Sequence, residues 1–172
     1  MCLPELLFTD RLLLRPLLST DATMVFALNS DPEVMRYLPK DEVYTSIEEA
    51  GKFLEAYIEK SSTWDFSRWA VVRKSDQVVL GWCGLREVDD GEVDLGFRFL
   101  REHWGRGYAT ESGQRWLEYG FGSGGLSKIV AKAADENIGS QRVLTRLNFE
   151  RRPKQDGEED GFLWRSFMLR KP

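Results

Sequence analysis

The stretch Leu95-Gly-Phe-Arg-Phe-Leu-Arg-Glu-His-Trp-Gly-Arg-Gly-Tyr-Ala-Thr-Glu111 holds the residues best suited to chemistry. It passes from an alternating apolar run into a helical pattern through a loop containing Gly105 and Gly107. A glycine loop that opens a helix offers free backbone N–H groups at the positive end of the helix dipole, a combination that suits a phosphate or diphosphate. Arg106 adds a cation, and Thr110 can donate a hydroxyl hydrogen bond from the first helical turn. The polar face of the preceding strand carries two carboxylates, Glu92 and Asp94, as candidates for general base work.

Other phosphate and nucleophile signatures fit less well. The spacing Gly105-x-Gly-x-x-Thr110 lacks the third glycine of the dinucleotide fingerprint, and its strand belongs to a meander rather than a βαβ unit. Gly120-x-Gly-x-x-Gly125 matches that fingerprint as letters but ends a helix, so it reads as a helix stop. Neither G-x-x-x-x-G-K-[ST] nor G-x-S-x-G occurs. His103 is the only histidine, which removes paired-imidazole metal sites, and no metal is expected.

Around these residues, 172 positions with six Trp, five Tyr and ten Phe suffice for one core, so residues 1–172 read as a single domain. A net charge of −4 gives no basic field for a nucleic-acid backbone. Cys2 and Cys83 form no C-x-x-C pair, and no apolar run approaches the ~18 residues of a membrane span. A cytoplasmic protein with no membrane or nucleic-acid partner is expected, as a monomer or homodimer.

The elements that must position the loop follow from periodicity. A strand over 11–15 precedes a helix introduced by Ser19-Thr-Asp21 and stopped by Asn29-Ser-Asp-Pro32, with an irregular link over 35–44. Ser46 and Glu49 make a capping-box pattern ahead of Ile47, Ala50, Leu54, Tyr57 and Ile58, a second amphipathic helix. Runs over 69–72, 78–85 and 93–99, separated by polar turns at 74–77 and 89–92, predict an antiparallel meander. Its third run alternates, with Val93, Leu95, Phe97 and Phe99 on one face and Glu92, Asp94, Gly96 and Arg98 on the other. A helix over about 107–121, a strand over 129–134, a helix capped by Asn137, a strand over 149–152 and a hairpin turning over 156–161 complete the order β-α-α-β-β-β-α-β-α-β-β.

Taken together, Asp94-Leu-Gly-Phe, Trp104-Gly-Arg-Gly-Tyr-Ala-Thr-Glu111, Asn137-Ile-Gly-Ser140 and Leu147-Asn-Phe149 resemble the GNAT superfamily of acetyl-CoA-dependent N-acetyltransferases. With Thr9-Asp-Arg-Leu-x-Leu-Arg-Pro16 at the start, the chain is most similar to the RimJ/RimL branch, which acetylates protein N-termini. The resemblance implies an α/β fold: a central mixed, mostly antiparallel sheet of six to seven strands flanked by about four helices. It implies acetyl-CoA as cosubstrate, the pantetheine arm along the backbone of Phe97 and Phe99, and the pyrophosphate on amides of Gly105, Arg106, Gly107, Tyr108, Ala109 and Thr110. It further implies that Asn137 touches the pantetheine and that Ser140 lies near the leaving sulfur.

Leu144 stands where many members carry a tyrosine acid, and Asn148 replaces the glycine of their Leu-Gly-Phe. A free thiol with pKa near ~8.5 needs no strong acid, so a hydroxyl such as that of Ser140 suffices as donor to the leaving group. Asp94 is the first candidate base and Glu92 the second, with a water chain an equal alternative where the amine arrives partly neutral. The expected activity is direct transfer of an acetyl group to a primary amine, either a protein N-terminus or a small amine. The alternative is a non-catalytic CoA-binding sensor or interaction domain of the same fold, for which Leu144 speaks.

Overall fold

The structure is a computed structural model and describes residues 6–88 and 91–172. Cys2, the residues around it and the Asp89-Asp90 part of the second polar turn lie outside the described residues.

The described residues form one nine-stranded sheet in the order β1-β2-β3-β4-β5-β6-β9-β7, with β8 paired to β9. The first five strands, Leu7–Phe8 (β1), Leu12–Arg15 (β2), Arg68–Arg73 (β3), Val79–Glu87 (β4) and Val93–Phe99 (β5), pair antiparallel in sequence order. Lys128–Ala134 (β6) lies parallel to β5, and Glu150–Arg151 (β7), Gly157–Glu159 (β8) and Phe162–Arg170 (β9) complete the far side. The helices are Ala22–Ser30 (α1), Pro32–Met35 (α2), Ile47–Ser61 (α3), Tyr108–Phe121 (α4) and Ile138–Arg146 (α5).

The mixed, mostly antiparallel sheet and the meander are as the sequence predicts. The sheet exceeds six to seven strands because β1 and β8 span two and three residues, too short for a period of two to register. The fifth helix, α2, is one turn, started by Asp31, whose side chain accepts from the N–H of Glu33 at 2.9 Å, and by Pro32. The acidic stretch expected as a broad hairpin tip is instead strand β8. The turn is confined to Asp160 and Gly161, both at positive φ. Asp21 does not cap α1 through its side chain. Its carboxylate takes both terminal nitrogens of Arg15, at 2.7 and 2.8 Å, and the N–H of Leu18 at 2.9 Å.

Each face of the sheet buries its own core. One holds Leu12, Leu14, Trp69, Leu85, Leu95, Trp116, Leu117, Leu144 and Leu147 between sheet, α4 and α5. The other holds Val25, Leu28, Ala50, Leu54 and Ala70 between sheet, α1 and α3. Full burial of a large apolar side chain contributes roughly 1.5–3 kcal/mol, so these sets fix both helix layers. Trp69 of β3 and Trp116 of α4 meet edge to face with centroids 5.1 Å apart. At Gly113 an added Cβ would lie 2.8 Å from Leu147 Cδ1, so glycine there allows the close approach of α4 to this layer. These contacts fix α4, and so the loop before it, against the sheet.

Candidate active site

The loop predicted to bind a diphosphate has the backbone geometry that reading requires. Gly105 and Gly107 have φ of 72° and 82°, left-handed values that glycine adopts freely, and Gly107 is the residue before α4. Among the described residues, none of the backbone N–H groups from Gly105 to Thr110 meets an acceptor. The Thr110 hydroxyl oxygen is buried there without a partner. Leaving a buried polar atom unpaired is costly, so this group fits a ligand that supplies the missing bond.

Beside the loop, β5 pairs with β4 along its whole length but with β6 only at Asp94 opposite Val130. Leu100 donates its N–H to the Leu80 carbonyl at 3.0 Å. Even-numbered backbone groups of β5 therefore point to β4, and those of Phe97 and Phe99 point toward β6, where the ladder has ended. An extended amide-bearing arm fits this open edge as an extra strand would. The indole nitrogen of Trp104 donates to the Phe99 carbonyl at 2.7 Å, leaving the Phe97 groups as the better exposed pair.

Asn137 is the cap of α5, and its side-chain oxygen accepts from the N–H of Ser140 at 3.0 Å. That bond leaves the Asn137 amide nitrogen as donor. It brings Asn137 and Ser140 together at one helix start, as their spacing predicts. Gln141, which the sequence does not single out, ties this start to β6 by donating to the carbonyls of Ala134 at 3.2 Å and Asp135 at 2.7 Å. Leu144 is buried in the core.

The alternation predicted for β5 holds. Leu95 and Phe99 enter the α4 side, while Asp94 and Arg98 occupy the α1 and α3 side. Asp94 receives one terminal nitrogen of Arg68 on both carboxylate oxygens, at 2.7 and 2.9 Å. Arg68 is itself buried; it also donates to the Asp94 carbonyl at 3.0 Å and to the Gly84 carbonyl. Arg98 donates to Asn29 at 3.1 Å and Glu42 at 2.8 Å. The two guanidiniums lie over the Trp82 ring, 5.7 and 5.2 Å from its centroid, on this face of the sheet. Sequence reading placed Arg98 on this face with Asp94 but missed Arg68 and Trp82, because nothing local links residues on three different strands.

Glu92 lies just before β5, bonded to Lys128 at 2.8 Å and facing Arg152 at 3.3 Å. The Lys128 bond, with Arg152 adding to it, holds its carboxyl below the usual range. Burial and the nearby Glu42 carboxylate push the Tyr44 phenol up to about 12, so it stays protonated at neutral pH. Of the aromatic residues Tyr37, Trp64, Phe66 and Trp69, the last two are core. Tyr37 reaches across to the Glu136 carbonyl at 3.4 Å and to the Phe162 ring, 5.9 Å between centroids, and Trp64 stacks edge-on against Tyr57. His103 is buried, and burial lowers its pKa.

Among the described residues no three His, Cys, Asp or Glu side chains cluster to hold a metal ion, and no helix is long and apolar enough to cross a membrane.

Known proteins resemble this chain in both sequence and fold. The family model for the acetyltransferase (GNAT) domain matches residues 11–150. A Bacillus licheniformis protein named "Uncharacterized N-acetyltransferase p20" is 33% identical over 149 residues, covering 86% of this chain and 83% of that one. The Bacillus subtilis (strain 168) protein named "Uncharacterized N-acetyltransferase YoaA" is 30% identical, with coverage of 85% and 83%. Among solved structures, a GNAT-family acetyltransferase from Bacillus anthracis superposes with TM-score 0.81 at 22% identity, covering 96% of this chain and 98% of that one. RimL, a ribosomal L7/L12 alpha-N-protein acetyltransferase in complex with coenzyme A, superposes with TM-score 0.81 at 16% identity, over 96% and 98%. A spermidine N-acetyltransferase from Vibrio cholerae, in complex with CoA and spermine, superposes with TM-score 0.78 at 21% identity, over 95% and 97%. With the domain match spanning most of the sequence and the fold shared throughout, the chain belongs to the GNAT family of N-acetyltransferases.

Proposed function

We propose that this protein transfers the acetyl group of acetyl-CoA directly to a primary amine within a ternary complex. The observation that carries this reading is the run of acceptor-free amides from Gly105 to Thr110 beside the open edge of β5. The amides of Gly105, Arg106, Gly107, Tyr108, Ala109 and Thr110 take the diphosphate, with the Thr110 hydroxyl as a further donor. The backbone of Phe97 and Phe99 takes the pantetheine arm, and the amide nitrogen of Asn137 donates to it.

In the transfer, the amine nitrogen bonds to the thioester carbon, the carbon–sulfur bond breaks, and the proton shed by the nitrogen must leave. Asp94 is the proton acceptor we favour, directly or through a water, because it shares the cleft face with Gly96 and Arg98. Both carboxylates are ion-paired, Asp94 with Arg68 and Glu92 with Lys128 and Arg152, and Glu92 is the second choice because it lies two residues farther along the chain from the loop that follows Phe99. The hydroxyl of Ser140 hydrogen-bonds to the departing sulfur, a role undemanding enough for a weak donor. The absence of a phenol at Leu144 is compatible with this route. The acceptor is a protein N-terminus or a small amine; the substrate of RimL supports the first and that of the spermidine enzyme the second.

Thiol release from acetyl-CoA, measured against a panel of peptides and polyamines, tests the reading. Intersecting double-reciprocal lines are expected for a ternary complex, and parallel lines would contradict direct transfer. Ser140→Ala and Asp94→Asn should each lower kcat roughly ten-fold or more with little change in CoA affinity; wild-type rates in both would remove these assignments. CoA binding without thiol release from any acceptor would favour the sensor reading.

A further inference from the structure

The helix that offers its N-terminus to a diphosphate carries a carboxylate in its own first turn. Glu111 lies one turn into α4, where its negative charge opposes a dianionic ligand at the loop. Glu111 accepts from the Thr9 hydroxyl at 2.5 Å, from the N–H of Arg11 at 3.0 Å and from Arg11 Nε at 2.6 Å. Partial burial pulls its pKa upward, but these bonds outweigh it and hold the carboxyl below the usual range, so it is ionised at neutral pH.

Arg11 does more than donate to this carboxylate. Its Nη1 donates to the Arg106 carbonyl at 3.1 Å, and its guanidinium lies over the Tyr108 ring, 4.7 Å from the centroid. Its Nη2 sits 3.4 Å from where a Cβ on Gly107 would be. One side chain from the turn between β1 and β2 therefore touches the loop at Arg106, Gly107 and Tyr108 while neutralising the carboxylate behind it. Its side chain is half exposed.

We infer that Arg11 is a positioning residue for the cofactor: it cancels the Glu111 charge and holds the loop's backbone in line, so that the N-terminus of α4 is a net anion site. The inference rests on the reading of this loop as the diphosphate site.

The test is calorimetric titration of the full chain with CoA for the wild type, Arg11→Gln, Glu111→Gln and the double variant. Pantetheine, which lacks the diphosphate, is followed in parallel by ligand-observed NMR. Arg11→Gln should raise the Kd for CoA roughly five-fold and leave pantetheine binding unchanged. Removing the stranded carboxylate in the double variant should return the Kd to within about two-fold of wild type. Arg11→Lys, which keeps the charge without the fork, should fall between. Melting curves confirm that each variant is folded. Unchanged CoA affinity in Arg11→Gln overturns the inference, and so do a double variant weaker than Arg11→Gln or an equal loss for pantetheine. Failure of the folded wild type to bind CoA at millimolar concentration overturns the diphosphate reading itself.

Discussion

Replacing Gly96 by alanine tests how the cleft face of β5 is built. An added Cβ would lie 2.6 Å from Arg68 Nη2 and 2.7 Å from its Cζ, well inside contact distance. Alanine suits the strand, so the cost falls on the guanidinium, which cannot move without releasing the Asp94 carboxylate and the carbonyls of Asp94 and Gly84. Forcing one extra carbon into a packed site costs about 1–3 kcal/mol. For a chain of this length each kcal/mol lowers Tm by roughly 2–4 °C, so a drop of about 2–12 °C is expected. Thermal unfolding by circular dichroism reads the stability, and kcat should fall with it because Asp94 loses its fixed orientation. In an Arg68→Met background the same change should cost far less, since the obstructing group is gone. A Tm within about 1 °C of wild type, with unchanged kcat, would show that Arg68 swings aside freely and that its contacts do not organise this face.

Three further changes address the loop, the buried histidine and the one non-glycine turn residue near α5. Thr110→Val should leave the stability of the free protein unchanged or raise it by up to about 1 kcal/mol, because it removes an unpaired buried hydroxyl. The same variant should weaken CoA binding several-fold; a lower Tm with unaltered affinity would contradict the ligand role. Burial lowers the pKa of His103, so its contribution to stability is complete above the unfolded value near ~6.5 and is lost as pH falls through the lower folded value. His103→Gln should flatten the Tm-against-pH curve in that window, and an unchanged slope would refute the attribution. Asn148 sits at φ 62°, so Asn148→Gly should be nearly neutral and Asn148→Val should cost about 1–2 kcal/mol, read by denaturant unfolding. Equal stability of the two variants would refute the backbone argument.

What could be read from the sequence was whatever is written locally. The alternation of β5 announced its two faces, and the two loop glycines announced a turn that opens a helix. Ser46 did cap α3, accepting from the N–H of Glu49 at 3.2 Å. Asn148, which stands in place of the glycine of Leu-Gly-Phe, adopts the left-handed backbone that glycine would take freely. The short strands β1 and β8 were invisible because two or three residues carry no period. The harder omissions were long-range: Arg68 meets Asp94 across 26 residues and Arg11 meets Glu111 across 100. Such pairs follow from sheet order and from the docking of α4 on the sheet, neither of which is encoded in spacing along the chain. Asp21 shows the same limit at short range, its capping role displaced by Arg15 once β2 brought that arginine near.

In the mechanism we propose, the unpaired amides before α4 receive the diphosphate of CoA. Following backbone N–H resonances by two-dimensional NMR during a CoA titration tests it most directly. Saturable shifts concentrated at Gly105 through Thr110, with Phe97 moving alongside, are predicted. Saturable shifts clustered elsewhere, with those six amides unmoved, would contradict it.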